Sequence, residues 1–79
     1  MEKFIIKRGI KFNGKVKELY HESLKPCDNK QVMNVYVENV ETDKKKAMVF
    51  YSKTEADAMA VYLVNSSECP STAIVVPVK

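Results

Sequence analysis

The chemically most versatile side chains of this 79-residue chain are one histidine, His21, and two cysteines, Cys27 and Cys69. A nucleophilic triad would have to use His21 as its base, and nothing nearby marks Cys27 as an activated thiolate. A metal site built from the same three residues lacks a fourth strong ligand and the short paired spacings of zinc sites. We therefore predict no metal and no other cofactor, and we expect His21 to face solvent.

The acidic residues do not form a catalytic pair either, because they are dispersed over polar faces, turns and a helix start. Glu55 and Asp57 fall in the first turn of a predicted helix, where the helix dipole already favours negative charge. The chain has only two glycines, Gly9 and Gly14, so no glycine-rich phosphate loop is present. These observations predict a protein that is not an enzyme.

The most distinctive feature of the sequence is an uneven distribution of charge. Residues 1–17 hold six basic groups and one acidic group, a net of +5, whereas residues 18–79 hold seven and nine, a net of −2. The sum is the +3 of the whole chain. A basic region of this kind can keep the protein soluble and protect a sheet edge, bind an acidic protein partner, or bind a nucleic acid. The candidate basic face consists of Lys3, Lys7, Lys11, Lys15 and Lys17.

These lysines belong to a predicted β-hairpin. Apolar residues alternate with lysines over residues 3–12, which is typical of a strand with one buried face. Arg8 occupies the apolar register and is followed by Gly9, a pattern that predicts a bulge. Asn13-Gly14 suits a type I′ turn, so the return arm starts at Lys15. The apolar spacing of that arm also fits a short helix, but the turn favours a strand through about Tyr20, followed by an irregular stretch.

Two further alternating runs, residues 31–40 and 46–51, predict a second antiparallel hairpin. In the first run, Val37 is predicted to face the core together with Met33 and Val35. Glu38 is predicted to lie on the opposite face. If the helix covers the Met and Val faces, amphipathic aromatic residues lie on the open side of the sheet, where they suit a protein interface. The candidate residues of this open sheet face are Tyr36, Val49 and Tyr51.

One helix and a last strand complete the predicted elements. Apolar residues from Ala56 to Val64 recur at helical spacing. Ser52 with Glu55 has the spacing of a capping box, and Thr54 with Asp57 three residues on is an alternative helix start. Asn65 is the predicted end of the helix. The β-branched run over residues 72–78 predicts a final strand, in which a proline is tolerated only at an end or on an edge.

Together the elements predict one α+β domain over residues 1–79, with an antiparallel or mixed sheet of about five strands. Their order is β-β-β-β-α-β, with the helix packed on one face. No secretory signal and no apolar run of membrane-spanning length is present, so we expect a cytoplasmic location and no membrane partner.

The sequence therefore predicts a small binding protein, an adaptor or inhibitor that acts on the surface of a larger protein or nucleoprotein complex. Small accessory proteins of phages and mobile elements are often of this general kind. The alternative is a module that binds single-stranded nucleic acid through the basic hairpin. The sequence leaves a homo-oligomer open and identifies no partner.

Overall fold

A computed structural model describes residues 2–26, 36–67 and 70–78 of the chain. The first part of the predicted third strand, residues 31–35, and both cysteines lie outside these residues. The described elements are β1 (Lys3–Phe12), β2 (Lys15–Pro26), β3 (Tyr36–Glu41), a 3₁₀ helix (Lys44–Lys46), α1 (Lys53–Ser66) and β4 (Ser71–Val78).

The first hairpin forms as its turn sequence predicts. Asn13 and Gly14 have φ angles of 50° and 78°, the positive values that a type I′ turn requires at both central positions. β2 then pairs antiparallel with β1, from Lys15 opposite Phe12 to Tyr20 opposite Lys7. The helical alternative for the return arm is therefore wrong. The predicted irregular stretch after Tyr20 is wrong too, since the strand continues to Pro26.

The strands form an antiparallel sheet in the order β3-β2-β1-β4, and α1 packs against β4 and β1 on one face of it. The prediction of a small α+β fold with one helix on one face is confirmed. The prediction of about five strands is wrong for the part of the chain that the structure describes, because it contains four.

The missing strand is the one predicted at residues 46–51. This segment touches the sheet at separate points: Met48 N–H donates to the His21 carbonyl at 2.9 Å, and Phe50 exchanges backbone bonds of 2.8 and 2.7 Å with Phe4. It fills the space beside the first half of β1, with which β2 does not pair. Its residues are apolar on both alternating faces, so a regular strand would leave one apolar face in water.

α1 begins at the first of the two predicted starts. Ser52 is the N-cap, and its side chain accepts a hydrogen bond of 3.3 Å from the Glu55 N–H. The helix continues to Ser66, one residue beyond the predicted end. Together with the sheet it encloses the core cluster of Phe4, Ile6, Phe50, Ala56, Ala60 and Leu63.

No bulge forms at Arg8 and Gly9, because both residues stay in register with β2 and with β4. The register shift lies in β2 instead, between His21 and Ser23. Thr72 of β4 lies close to Gly9, so a larger residue at position 9 would require the Thr72 side chain to shift. A Cβ atom on Gly9 would lie 2.5 Å from the Thr72 hydroxyl oxygen, which is closer than van der Waals contact allows.

Candidate functional site

The face of the sheet that turns away from α1, which we call the open face, carries three of the predicted lysines. Phe4, Ile6 and Arg8 of β1 are buried on the helix side. Since side chains alternate along a strand, the lysines at odd positions of β1 lie on the open face. These residues are Lys3, Lys7 and Lys11.

The other two predicted lysines lie on the opposite face. Lys15 pairs with Phe12 and Lys17 pairs with Ile10, and cross-strand partners point to the same side of a sheet. Ile10 is in the same alternating set as the buried residues of β1, so both lysines belong to the helix side. The basic hairpin therefore divides its charge between the two faces.

Two of the predicted open-face residues lie beside the first half of β1. Phe50 points into the core next to Phe4, and its neighbours Val49 and Tyr51 are 38% and 61% exposed. They belong to the irregular segment before α1. The side chain of Tyr36, the third predicted residue, lies outside the described part of the chain.

Exposed valine and isoleucine side chains alternate with the lysines on the open face. Lys7 lies opposite Ile74 of β4, and Lys11 lies opposite Val16 of β2. Ile74 is 56% exposed and Val16 is 68% exposed. Sequence reasoning missed both residues, because only the strand register shows that they neighbour the lysines.

One of the open-face lysines has an acidic partner. The Lys7 ammonium lies 3.0 Å from a Glu18 carboxylate oxygen, and both side chains keep contact with solvent. An exposed pair of this kind contributes about 0–1 kcal/mol, so a binding partner can displace it at little cost. Lys3 and Lys11 are exposed and have no such ion pair among the described residues.

On the helix side, Arg8, His21 and Glu38 form a buried polar cluster. Arg8 Nε lies 3.1 Å from both Glu38 carboxylate oxygens, and its Nη1 donates to the Thr72 carbonyl at 2.8 Å. His21 Nδ1 lies 2.7 Å from Glu38 Oε2. We place a proton on Nδ1, because a carboxylate held by a guanidinium accepts hydrogen bonds.

The expected solvent-facing position of His21 is wrong, since this residue is 0% exposed and stacks on Phe50 with ring centroids 6.4 Å apart. Its second ring nitrogen, Nε2, is buried without a hydrogen-bond partner among the described residues. The expectation for Glu38 is also wrong, because it points to Arg8 rather than to solvent, and Val37 is 54% exposed instead.

Within the described residues, no group of three or more histidine, cysteine or acidic side chains is arranged to hold a metal ion. The same part of the chain contains no helix with the length and apolar character needed to cross a bilayer.

These features define the class of the molecule as a small antiparallel α+β domain with one sheet face that α1 does not cover. That face is buried at Ile5, which alternates with Phe4 and Ile6 on β1 and is 2% exposed, and it is exposed around Lys11, Val16 and Ile74. Comparison with family models, curated proteins and solved structures gives no match to this chain. Its function is therefore argued from its own surface.

Proposed function

We propose that this chain is a small binding protein, an adaptor or inhibitor that occupies an acidic and partly apolar surface of a larger protein. The observation that supports this proposal is the open face, where lysines lie next to exposed apolar side chains. Lys7 faces Ile74 and Lys11 faces Val16 across neighbouring strands. Apolar groups supply the buried contact of an interface, and surrounding lysines attract and orient an acidic partner.

The proposal predicts a face-specific effect of charge reversal. The variant Lys3→Glu with Lys11→Glu should lose a partner that the wild-type protein retains, because a favourable potential becomes repulsive at the contact. The wild-type chain and the variant are each immobilised and incubated with a native lysate, and the retained proteins are quantified. The dissociation constant is then measured with the purified partner. We expect at least about a tenfold weaker complex.

The matched control is Lys15→Glu with Lys17→Glu, which makes the same change of net charge on the opposite face of the same hairpin. This control should bind as the wild-type protein does. Equal weakening by both double variants would indicate a response to net charge alone, and no weakening by either would remove the open face from the interaction. Either result contradicts the proposal.

Nucleic acid is the second candidate partner, and the regular spacing of Lys3, Lys7 and Lys11 along one strand face favours it. For stacking on bases, Tyr20 lies opposite Lys7 on the same face and is half-buried, and Tyr51 is exposed, whereas Phe4 is buried in the core. Three phosphate contacts on a single strand predict a slope of log K against log salt of about −2. We expect affinity for random single strands no tighter than the non-specific range of about 10⁻⁴–10⁻⁶ M.

Titration of a labelled single-stranded oligonucleotide at graded salt tests this candidate. A submicromolar, salt-sensitive complex that is lost in the Lys3→Glu, Lys11→Glu variant and kept in the Lys15→Glu, Lys17→Glu variant would make nucleic acid the preferred partner.

A further inference from the structure

β4 lies at the edge of the sheet and nevertheless has the composition of a central strand. None of its eight residues is charged, and most are β-branched. The two inner strands are the reverse: β1 contains four charged residues and β2 contains five. Edge strands of monomeric proteins are usually protected by charged side chains against pairing with other chains. β4 has only a proline near its end.

The backbone of β4 has free hydrogen-bonding groups along this edge. Phe4 directs its N–H and C=O to Phe50, on the side of β1 away from β4. Its β4 partner, Pro77, therefore directs its carbonyl to the free edge, where it has no N–H to donate. By alternation, Ser71, Ala73 and Val75 also direct their N–H and C=O groups outwards. β4 pairs with β1 alone among the described strands.

Apolar side chains border the free edge on both faces of the sheet. Ile74 is 56% exposed on the open face. On the helix side, Ala73 lines a groove of about 280 Å³ together with Val61 and Val64 of α1. Val61 is 61% exposed and Val64 is 39% exposed. No charged residue occurs among residues 58–67 or 70–78, and depletion of charge is typical of the centre of a protein interface.

We infer that β4 pairs antiparallel with β4 of a second copy of this chain, which joins two four-stranded sheets into one sheet of eight strands. An antiparallel pair of identical strands is self-complementary about a two-fold axis, so the outward N–H groups of each copy meet outward C=O groups of the other. Two copies with a net charge of +3 repel each other at their basic faces, and the uncharged edge is where they can meet without that repulsion.

The dimer does not depend on the function proposed above. Pairing at β4 covers the edge and the adjacent flank of α1, and it leaves Lys3 and Lys11 of both copies on one continuous open face. Variants of these lysines test partner binding, whereas variants of β4 test the dimer, so the two inferences fail separately.

Sedimentation equilibrium from low micromolar to millimolar protein tests the dimer. The wild-type chain should show a concentration-dependent mass that reaches twice that of the monomer. Ile74→Lys should raise the dissociation constant at least about 100-fold, because it brings like charges together at the two-fold interface. Ile74 is exposed, so this variant should fold, and its circular dichroism spectrum checks that it does.

The matched control is Val16→Lys, the same kind of change at an exposed position of the open face that lies on β2 rather than β4. It should leave the dissociation constant within about threefold of the wild-type value. Wild-type protein that stays monomeric up to millimolar concentration would overturn the inference. So would equal loss of association in both variants, because association would then use the open face.

Amide hydrogen exchange of the wild-type chain distinguishes strand pairing from side-chain contact. Ala73 and Val75 should exchange more slowly at high protein concentration than at low concentration, since their N–H groups become bonded in the dimer. Exchange at these two positions that does not change while the mass doubles would also overturn the inference.

Discussion

Replacing Glu38 with alanine is expected to lower the free energy of unfolding by about 3–5 kcal/mol, because it leaves a buried arginine without its counter-charge. Arg8 is 1% exposed, and both oxygens of Glu38 lie 3.1 Å from its Nε. Among the described residues, its guanidinium also donates to the neutral Thr72 carbonyl. The same substitution also removes the acceptor of the His21 ring proton. Urea denaturation followed by circular dichroism measures the loss.

Glu18→Ala is the matched control, since it removes a carboxylate that pairs with Lys7 at the surface. It should change the free energy of unfolding by about 1 kcal/mol or less. Replacing Arg8 and Glu38 together by leucine should cost less than the sum of the two single replacements, because neither charge then stays buried alone. If Glu38→Ala and Glu18→Ala have the same urea unfolding midpoint, the buried ion pair between Arg8 and Glu38 does not form.

Leu63→Ala is expected to lower the free energy of unfolding by about 2–5 kcal/mol, because it deletes buried volume between α1 and the sheet. Leu63 is 2% exposed and belongs to the core cluster with Phe4 and Ile6. A chain of 79 residues has a total stability of roughly 4–12 kcal/mol, so the variant should be partly unfolded well below the wild-type melting temperature. Thermal and urea unfolding measure the effect.

Val61→Ala serves as the control on the same helix, because Val61 is 61% exposed and alanine has the higher helix propensity. At low micromolar protein it should change the stability by no more than about 0.5 kcal/mol. Equal loss in both variants would contradict the assignment of the core to one face of α1.

The elements that the sequence predicts correctly are those specified by neighbouring residues. Asn13-Gly14 specifies the first turn, because both residues tolerate the positive φ angles that the turn requires. Ser52 and Glu55 specify the start of α1 through a hydrogen bond within one helical turn. Apolar spacing predicts a buried face from Ala56 to Val64, and Ala56, Ala60 and Leu63 are buried as predicted. The prediction is wrong for Val64, which is 39% exposed.

The expectations that fail concern contacts between residues far apart in sequence. An arginine in an apolar register predicts a bulge when its partner is unknown. In the structure Arg8 stays in register, because Glu38, thirty residues away, supplies the counter-charge. The same carboxylate keeps His21 inside the protein. The amino-acid types alone did not indicate that these three polar residues share one buried cluster.

For the candidate surfaces too, one part follows from neighbouring residues in the sequence and another part from contacts between distant residues. Alternation in the sequence by itself determined that Lys3, Lys7 and Lys11 share a face, because neighbouring side chains on a strand point to opposite sides. Only the tertiary structure decided that Lys15 and Lys17 lie on the other face, that Ile74 and Val16 lie beside the lysines, and that β4 is an edge strand. Strand register and strand order decide these points, and both depend on packing against distant parts of the chain rather than on local residue preference.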